Sequence, residues 1–308
     1  MSSIVVARDV SKWYGDIIGL NSFSIEVEKG ITGVVGPNGA GKSTFFKLLT
    51  GNIRANAGTL TVMGENPWRN PEQMRRIGFC PDYDFLPPDL SGRDYLRFLG
   101  GLHGMKGAGL SGRIGEVLTV VDMTAAADRR MGGYSKGMRQ RLKIAGSLLH
   151  QPSLLLLDEP LTGTDPVVRK EIMDLIRSLH KDHGHDIIVS SHVLHEVERL
   201  TSNVALIYKG RAVATGDVSE IRALMSGHPH KIVMEGEGMA RMAKALIDRD
   251  YTVSVELKKD RSGLVVMVDR PEDFFDSLPG LIRESGSEVE SVQSLDDNLE
   301  SVFRYVVG

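Results

Sequence analysis

The chain has 308 residues, of which 41% are hydrophobic and 25% charged, and its formal net charge is −3 at pH 7; this predicts a globular protein with one large and one smaller domain, and excludes a general electrostatic attraction to nucleic acid or lipid. The single cysteine, Cys80, excludes an intrachain disulfide framework, and we interpret it as a small buried hydrophobic residue rather than a reactive thiol. We find no apolar run of the ~20 residues that span a bilayer and no signal-peptide core, and therefore expect any membrane role to come through a partner.

Strands and helices alternate through most of the first 220 residues. The apolar stretch "GITGVVG" predicts a buried strand that runs into a glycine-rich turn and then a helix. Later in the chain, "SLLLLDEP" and "DIIVSSH" predict two more buried strands, separated by an amphipathic helix. This alternation predicts an α/β fold with a parallel sheet covered by helices on both faces.

Residues from about 84 to 150 interrupt the alternation. The stretches "DLSGRDYLRFLGGLHG" and "SGRIGEVLTVVDM" have helical spacing, and the glycine-rich "GMKGAGLSG" lies between them. We therefore predict a helical subdomain inserted into the α/β core.

The pattern changes again after residue 220. Strands and helices follow in the order β-α-β-β-α-β, which predicts a small ferredoxin-like α+β domain over residues 221–308, with a linker at "SGHPHK" and a last helix at "DDNLESVFRYVV". An RNA-binding role for this domain is disfavoured, since residues 231–308 carry 10 Lys or Arg against 16 Asp or Glu, a net charge of −6. The larger domain is expected to span residues 1–220.

The strongest motif is "GPNGAGKS", which matches the phosphate-loop pattern G-x-x-x-x-G-K-[ST] between a predicted strand and a predicted helix. Its glycines allow backbone amides to approach phosphate oxygens, and the helix N-terminus adds its positive end. Lys42 supplies a charge for the β- and γ-phosphates, and the Ser43 hydroxyl supplies a ligand for Mg²⁺. The predicted nucleotide-binding residues of this motif are Gly36, Pro37, Asn38, Gly39, Ala40, Gly41, Lys42, Ser43 and Thr44.

Two carboxylates, Asp158 and Glu159, close the apolar strand "SLLLLDEP". Ligands bind at the carboxyl end of parallel strands, so these residues are expected to face the bound nucleotide. One carboxylate can hold Mg²⁺, and the other can orient or deprotonate the water that attacks the γ-phosphate. The alternative is a pair of solvated acids at a strand end, which the upstream phosphate loop disfavours.

The phosphate loop, "YSKGM", "LLLLDEP" and "IIVSSH" follow one another in an order that resembles the ATP-binding subunit of an ABC transporter. The resemblance covers roughly residues 1–220 and implies a P-loop NTPase core of the ABC type that binds ATP and Mg²⁺ and hydrolyses ATP. It also implies a second ATPase subunit, expected to be identical, and a polytopic membrane permease that holds the protein at the cytoplasmic face of the membrane. The "YSKGM" and "NLESVF" segments look like those of exporters that have separate permeases.

The resemblance also assigns roles to single residues. Tyr14, or less well its neighbour Trp13, would stack on adenine, and Glu159 would act as the catalytic base beside Asp158 as the Mg²⁺ ligand. His192 would contact the γ-phosphate. In the signature "YSKGM", the groups that would meet the γ-phosphate of ATP bound to the opposite subunit come from Ser135, Lys136 and Gly137.

The chain departs from the family pattern at three places. Asp82 stands where the family usually has a glutamine that contacts Mg²⁺ and the attacking water; a carboxylate can still coordinate Mg²⁺, and the alternative is a turn-forming Asp. Thr164 replaces the usual apolar residue before Asp165, the aspartate that runs between the two nucleotide sites. The signature has Tyr134, Lys136 and Met138 instead of the common residues.

A second hypothesis is a non-transport ABC ATPase that acts on ribosomes or DNA. Such proteins usually carry two ATPase halves or a long coiled-coil insertion, and this chain has neither. A catalytically inactive regulatory subunit is also disfavoured, because Lys42, Asp158, Glu159 and His192 are all present. We therefore predict a transport ATPase with no nucleic-acid partner.

Overall fold

The computed structural model describes residues 3–218, 221, 229–258, 260 and 262–294. The chain divides into two units, Met1–Asp217 and Val218–Gly308. The whole of the predicted helix "DDNLESVFRYVV" lies outside the described residues, and so does the first half of the predicted linker "SGHPHK". No helix in the described part of the chain is long and apolar enough to cross a membrane.

Six strands form the main sheet of the first unit, and all neighbouring pairs are parallel except the last. With strands numbered along the chain, their order across the sheet is β5 (Ile77–Cys80), β6 (Leu154–Leu157), β7 (Asp186–Ser191), β3 (Ile31–Val35), β8 (Asn203–Tyr208) and β9 (Arg211–Asp217). Every residue of β3 and β6 is buried, as expected for parallel strands covered on both faces. The hairpin of β8 and β9 was not among the predicted elements.

Three further strands form a separate antiparallel sheet in the same unit. Their order is β2 (Ile17–Val27), β1 (Val5–Tyr14) and β4 (Ala57–Val62). Alternate residues in the second half of β2, Phe23, Ile25 and Val27, are buried, so one face of this sheet packs against the protein interior.

Seven α-helices complete the first unit. They are α1 (Lys42–Leu49), α2 (Pro71–Met74), α3 (Gly92–Leu102), α4 (Gly107–Val120), α5 (Lys136–Leu148), α6 (Pro166–Lys181) and α7 (Leu194–Glu198), with two short 3₁₀ turns at Thr124–Ala126 and Met131–Gly133. Helices α3, α4 and α5 form the predicted helical subdomain and share one hydrophobic core with β5 and β6.

Helix α4 corrects one prediction. It begins at Gly107, inside the glycine-rich stretch that was expected to separate two helices. Leu110 is buried against Gly100 of α3, where a side chain on the glycine would collide with Leu110. Close packing of α3 on α4 therefore outweighs the low helix propensity of the glycines.

The described residues of the second unit form a four-stranded antiparallel sheet with two helices. In chain order its elements are β10 (His230–Glu237), α8 (Met239–Ile247), β11 (Thr252–Leu257), β12 (Gly263–Val268), α9 (Pro271–Ser285) and β13 (Glu288–Ser294). The order across the sheet is β11-β12-β10-β13, which is the predicted ferredoxin-like arrangement. Its core joins the helical side chains of Met242, Leu246 and Phe274 to Leu264 and Val266 of β12.

Candidate nucleotide-binding site

Three neighbouring strands of the main sheet end at the candidate site. The phosphate loop starts at Gly36 after β3, Asp158 follows β6, and His192 follows β7. Since β6, β7 and β3 are adjacent and parallel, their carboxyl ends bring these segments to one edge of the sheet. The fold therefore gathers residues that are more than 100 positions apart in the sequence.

The backbone of the phosphate loop explains its glycines. Gly39 and Gly41 have φ values of +80° and +113°, which favour glycine, and Gly41 leads directly into α1. Gly36 lies against the backbone carbonyl of Ile207, leaving no room for a side chain. The amide of Gly210, in the turn between β8 and β9, donates a hydrogen bond to the carbonyl of Ala40 at 2.8 Å. The hairpin of β8 and β9, which was not predicted, thus holds the phosphate loop through this hydrogen bond.

Lys42 lies inside the loop rather than in solvent. Its side chain is 6% exposed, and Nζ donates to the carbonyl of Gly36 at 2.6 Å and to that of Pro37 at 3.3 Å. Nζ also lies 3.2 Å from Oε1 of Glu159. The ammonium group is therefore held where the loop would surround phosphate oxygens.

Asp158 is almost fully buried, and its Oδ1 accepts a hydrogen bond from the Ser190 hydroxyl at 2.6 Å. Burial raises the pKa of this carboxyl, and the negative charge of Asp82 raises it further. The hydrogen bonds from Ser190 and Ser43 partly offset this increase. A cation beside Asp158 would favour its ionised form. Ser43 and Asp158, the predicted metal ligands that contact each other, therefore provide the oxygen donors that Mg²⁺ prefers.

The described residues contain no cluster of three His, Cys, Asp or Glu side chains that would hold a metal ion alone.

Glu159 is held on both carboxylate oxygens. Oε2 accepts hydrogen bonds from Thr162 Oγ1 at 2.8 Å and from His192 Nδ1 at 2.9 Å, while Oε1 faces Lys42. Burial alone would raise the pKa of Glu159, but the hydrogen bonds from Thr162 and His192 and the charge of Lys42 lower it overall. The side chain is therefore ionised at neutral pH, as a proton acceptor must be.

Tyr14 lies at the end of β1 and is 41% exposed. A Cβ placed on Gly19 would lie 2.9 Å from Tyr14 Cε2 and 3.0 Å from Thr44 Oγ1, so the ring approaches the first turn of α1. Lys12 Nζ lies 5.4 Å from the centre of the ring. This position places a partly exposed aromatic ring near the phosphate loop, where a base could stack.

In the signature segment, Ser135 caps α5, and its Oγ accepts a hydrogen bond from the amide of Met138 at 3.2 Å. Tyr134 is buried and donates to the carbonyl of Ala126 at 2.7 Å, so this substituted position packs in the protein interior. Gly137 is buried where a Cβ would lie 2.6 Å from Val168. The Lys136 side chain extends along Gly163 of its own chain.

Asp165 caps α6, and its Oδ1 accepts hydrogen bonds from the amides of Val167 and Val168, both at 3.0 Å. The preceding Thr164 is buried, and its hydroxyl donates to the carbonyl of Leu161 at 2.6 Å. The polar residue at this usually apolar position is therefore satisfied within its own loop.

Asp82 follows β5 and lines an open cleft of about 500 Å³ together with the catalytic candidates. The other lining residues are Asn38, Asp84, Lys136, Arg139, Gln140, Lys143, Glu159, Thr162 and His192. Lys143 Nζ, from α5, donates to the carbonyl of Pro81 at 3.0 Å and holds the start of this loop. Cys80, just before it, is fully buried, which raises the pKa of its thiol to about 12 and confirms the predicted role as a hydrophobic residue.

Sequence analysis missed Thr162, Ser190, Arg139 and Lys143 as residues of the site. Thr162 lies three residues after Glu159, and its position in the same loop was the signal that could have identified it. Ser190 lies two residues before His192 on β7, and its role depends on the pairing of β6 with β7.

Comparisons with known proteins give a consistent result. A family model described as ABC transporter matches residues 20–162. The chain is 33% identical to a daunorubicin resistance ATP-binding protein of Streptomyces coeruleorubidus, over 99% of this chain and 96% of that protein. It is 38% identical to a bacitracin transport ATP-binding protein of Bacillus licheniformis, over 100% of this chain and 98% of that protein.

Solved structures match most of the chain. The structure of cbiO1 from Clostridium perfringens, part of the ABC transporter complex cbiONQ, has a TM-score of 0.65 and 26% identity, and the match covers 72% of this chain and 92% of that one. Sequence and structure comparisons therefore agree on the predicted fold.

Proposed function

The chain belongs to the ABC transporter family of ATP-binding proteins, and we propose that it is the ATPase subunit of an exporter, acting as a dimer on the cytoplasmic face of the membrane and driving a separate polytopic permease. The names of its relatives favour transport over the alternative of an ABC ATPase that acts on ribosomes or DNA. The relatives named for daunorubicin resistance and bacitracin transport support export as the direction.

The observation that carries the proposed reaction is the arrangement of Lys42, Glu159 and His192. Glu159 Oε1 lies 3.2 Å from Lys42 Nζ, and Oε2 lies 2.9 Å from His192 Nδ1. With ATP bound, Lys42 neutralises charge on the β- and γ-phosphates, and Glu159 takes a proton from the attacking water. The water oxygen bonds to the γ-phosphorus and the bond to the bridging oxygen breaks, giving ADP, phosphate and the proton that Glu159 then releases.

The remaining residues bind and orient the substrates. Ser43 and Asp158, with Asp82 nearby, would hold Mg²⁺, which would supply positive charge to neutralise the phosphates of ATP. Tyr14 would stack on adenine, a contact worth about 1–3 kcal/mol in nucleic-acid binders. With a proton on each ring nitrogen, His192 would donate Nδ1–H to Glu159 and Nε2–H to the γ-phosphate.

We infer that the signature segment acts on ATP bound to a second subunit. The N-terminus of α5 favours an anion, and Ser135 and Lys136 at this end are both exposed. The Ser135 hydroxyl accepts from Met138 and retains its own proton for donation to a phosphate oxygen. A site built from the phosphate loop of one subunit and the signature of the other makes dimerisation a condition for hydrolysis, with Asp165 between the two sites.

The surface beside the Asp82 loop supports a permease partner. Tyr83 and Phe85 follow Asp82 and are 63% and 83% exposed, and Phe98 and Leu102 are exposed on α3 of the helical subdomain. Exposed apolar groups of this size indicate a protein-binding surface. We propose that a cytoplasmic helix of the permease binds here, so that closure of the dimer moves the permease through the Asp82 loop; Phe85→Glu should abolish co-purification with the co-expressed permease.

ATP-dependent dimerisation tests the proposed function. Light scattering of Glu159→Gln protein with ATP should show a dimer, because ATP remains bound, and adding Ser135→Arg should leave a monomer that still binds ATP. Lys181→Ala, on the exposed end of α6, serves as the control and should dimerise. Dimers that persist with Ser135→Arg would contradict the shared site.

A further inference from the structure

Thr162 has a contact that neither the motif pattern nor the family comparison assigns. Its hydroxyl donates a hydrogen bond to Glu159 Oε2 at 2.8 Å, and its amide donates to the carbonyl of Glu159 at 3.2 Å. The two residues are thus joined by a tight turn directly after β6. Thr162 is exposed and lines the same cleft as Glu159 and His192.

The distribution of donors distinguishes the two oxygens of Glu159. Oε2 accepts from Thr162 and from His192, whereas Oε1 faces the ammonium group of Lys42. When ATP binds, its phosphates compete for the charge of Lys42, while the two donors to Oε2 belong to loops outside the phosphate loop. Oε1 is therefore the oxygen that becomes available for a proton.

The backbone of Glu159 is also held, by a hydrogen bond to β7. Its φ is +48°, an uncommon value for a residue other than glycine, and its amide donates to the Ser190 hydroxyl at 2.8 Å. Because the hydrogen bond to Ser190 holds the main chain, the side-chain torsions of Glu159 decide where its carboxylate points. Two hydrogen bonds converging on Oε2 restrict that rotation.

We propose that Thr162 is a positioning residue for ATP hydrolysis: its hydroxyl, together with His192, holds Oε2 of Glu159 so that Oε1 faces the attacking water. This inference rests on the proposed function, in which Glu159 accepts the proton of that water. In this role Thr162 acts through Glu159, so a loss of its hydroxyl should change turnover rather than ATP binding.

Steady-state ATPase kinetics of Thr162→Val test the proposal, because valine keeps the shape of threonine and replaces the hydroxyl with a methyl group. We expect kcat to fall by about tenfold, as for loss of one hydrogen bond to a charged group, with KM for ATP changed by less than about twofold. Thr162→Ser should restore kcat to within about twofold of the wild type. The exposed position of Thr162 means that melting temperatures should stay equal, which is checked in parallel.

Thr164→Val is the matched control, since Thr164 lies in the same loop but donates its hydroxyl to the carbonyl of Leu161. A kcat for Thr162→Val equal to that of the wild type, or an equal fall in Thr164→Val, would overturn the proposal. Glu159→Gln is measured alongside to separate the two claims. If Glu159→Gln is active, the proposed function fails; if it is inactive and Thr162→Val is fully active, only the role of Thr162 fails.

Discussion

Lys42 and Glu159 form an ion pair, with Nζ 3.2 Å from Oε1 and side chains that are only 6% and 13% exposed. The residue that would bind phosphate and the residue that would activate water therefore contact each other directly. Because ATP would draw the charge of Lys42 onto its phosphates, nucleotide binding and release of Glu159 Oε1 are expected to occur together.

Lys42→Ala should weaken ATP binding by roughly 10- to 100-fold, the effect of removing a charged hydrogen-bond donor from a buried site. Binding is measured by isothermal titration calorimetry with ATP. Lys47→Ala, which removes an exposed lysine from the same helix, should bind ATP as the wild type does. Equal affinity of Lys42→Ala and Lys47→Ala would refute the role given to Lys42.

Asp82 replaces the glutamine that the family usually has, and a side-chain oxygen is the feature the two residues share. Asp82→Gln should therefore keep ATPase activity within about threefold of the wild type, whereas Asp82→Ala should lose about tenfold through weaker binding of Mg²⁺. The measurement is ATPase rate against Mg²⁺ concentration, with the exposed Asp89→Ala as the control. An unchanged Mg²⁺ requirement in Asp82→Ala would mean that Asp82 is a turn residue only.

A pH prediction follows from two stacked histidines of the helical subdomain. The rings of His103 and His150 lie 4.1 Å apart and nearly parallel, and His150 Nε2 donates to the carbonyl of Ile77 at 2.9 Å. Burial lowers the pKa of both residues; for His150 the hydrogen bond to Ile77 opposes this, and the charges of His103 and Arg113 add to it.

The folded state thus favours neutral rings. Their contribution to stability is fully present above the ordinary histidine pKa of about 6.5 and is lost as the pH falls below it. The melting temperature of the wild type should fall between pH 7.5 and pH 5.5 by roughly 2–4 °C more than that of His150→Gln, which keeps a donor for Ile77. His183→Gln, at an exposed histidine, should behave like the wild type, and identical pH dependence in all three proteins would disprove the assignment.

The parts of the fold that were predicted correctly depend on local patterns. The apolar runs of β3 and β6 and the glycines of the phosphate loop identified the nucleotide site, and the family, its fold and its ATPase activity were confirmed by comparison with known proteins. Helix α4 was predicted to start too late because propensity of the glycines was weighed without the packing of Leu110 on Gly100. Such packing between helices is not visible in a local pattern.

In the candidate site, too, local patterns predicted some residues, while others depend on contacts between distant segments. Lys42 and Asp158 were predicted as site residues from a motif and from the end of an apolar strand, and the structure brings them to the same edge of the sheet. Ser190, which contacts both Asp158 and Glu159, could not, because its role arises from the pairing of strands β6 and β7. The hydrogen bond from Thr162 to Glu159 likewise depends on the turn between them.

The most direct test of the account is the ATPase rate of purified Glu159→Gln beside wild-type protein and the control Glu72→Gln, which changes an exposed residue of α2. Glutamine has nearly the shape of glutamate but cannot accept the proton of the attacking water. If Glu159 is the catalytic base, Glu159→Gln should bind ATP at least as tightly as the wild type. It should hydrolyse ATP at least about 100-fold more slowly, the usual contribution of a general base. Hydrolysis by Glu159→Gln at the rate of the wild type and of Glu72→Gln would contradict this role of Glu159.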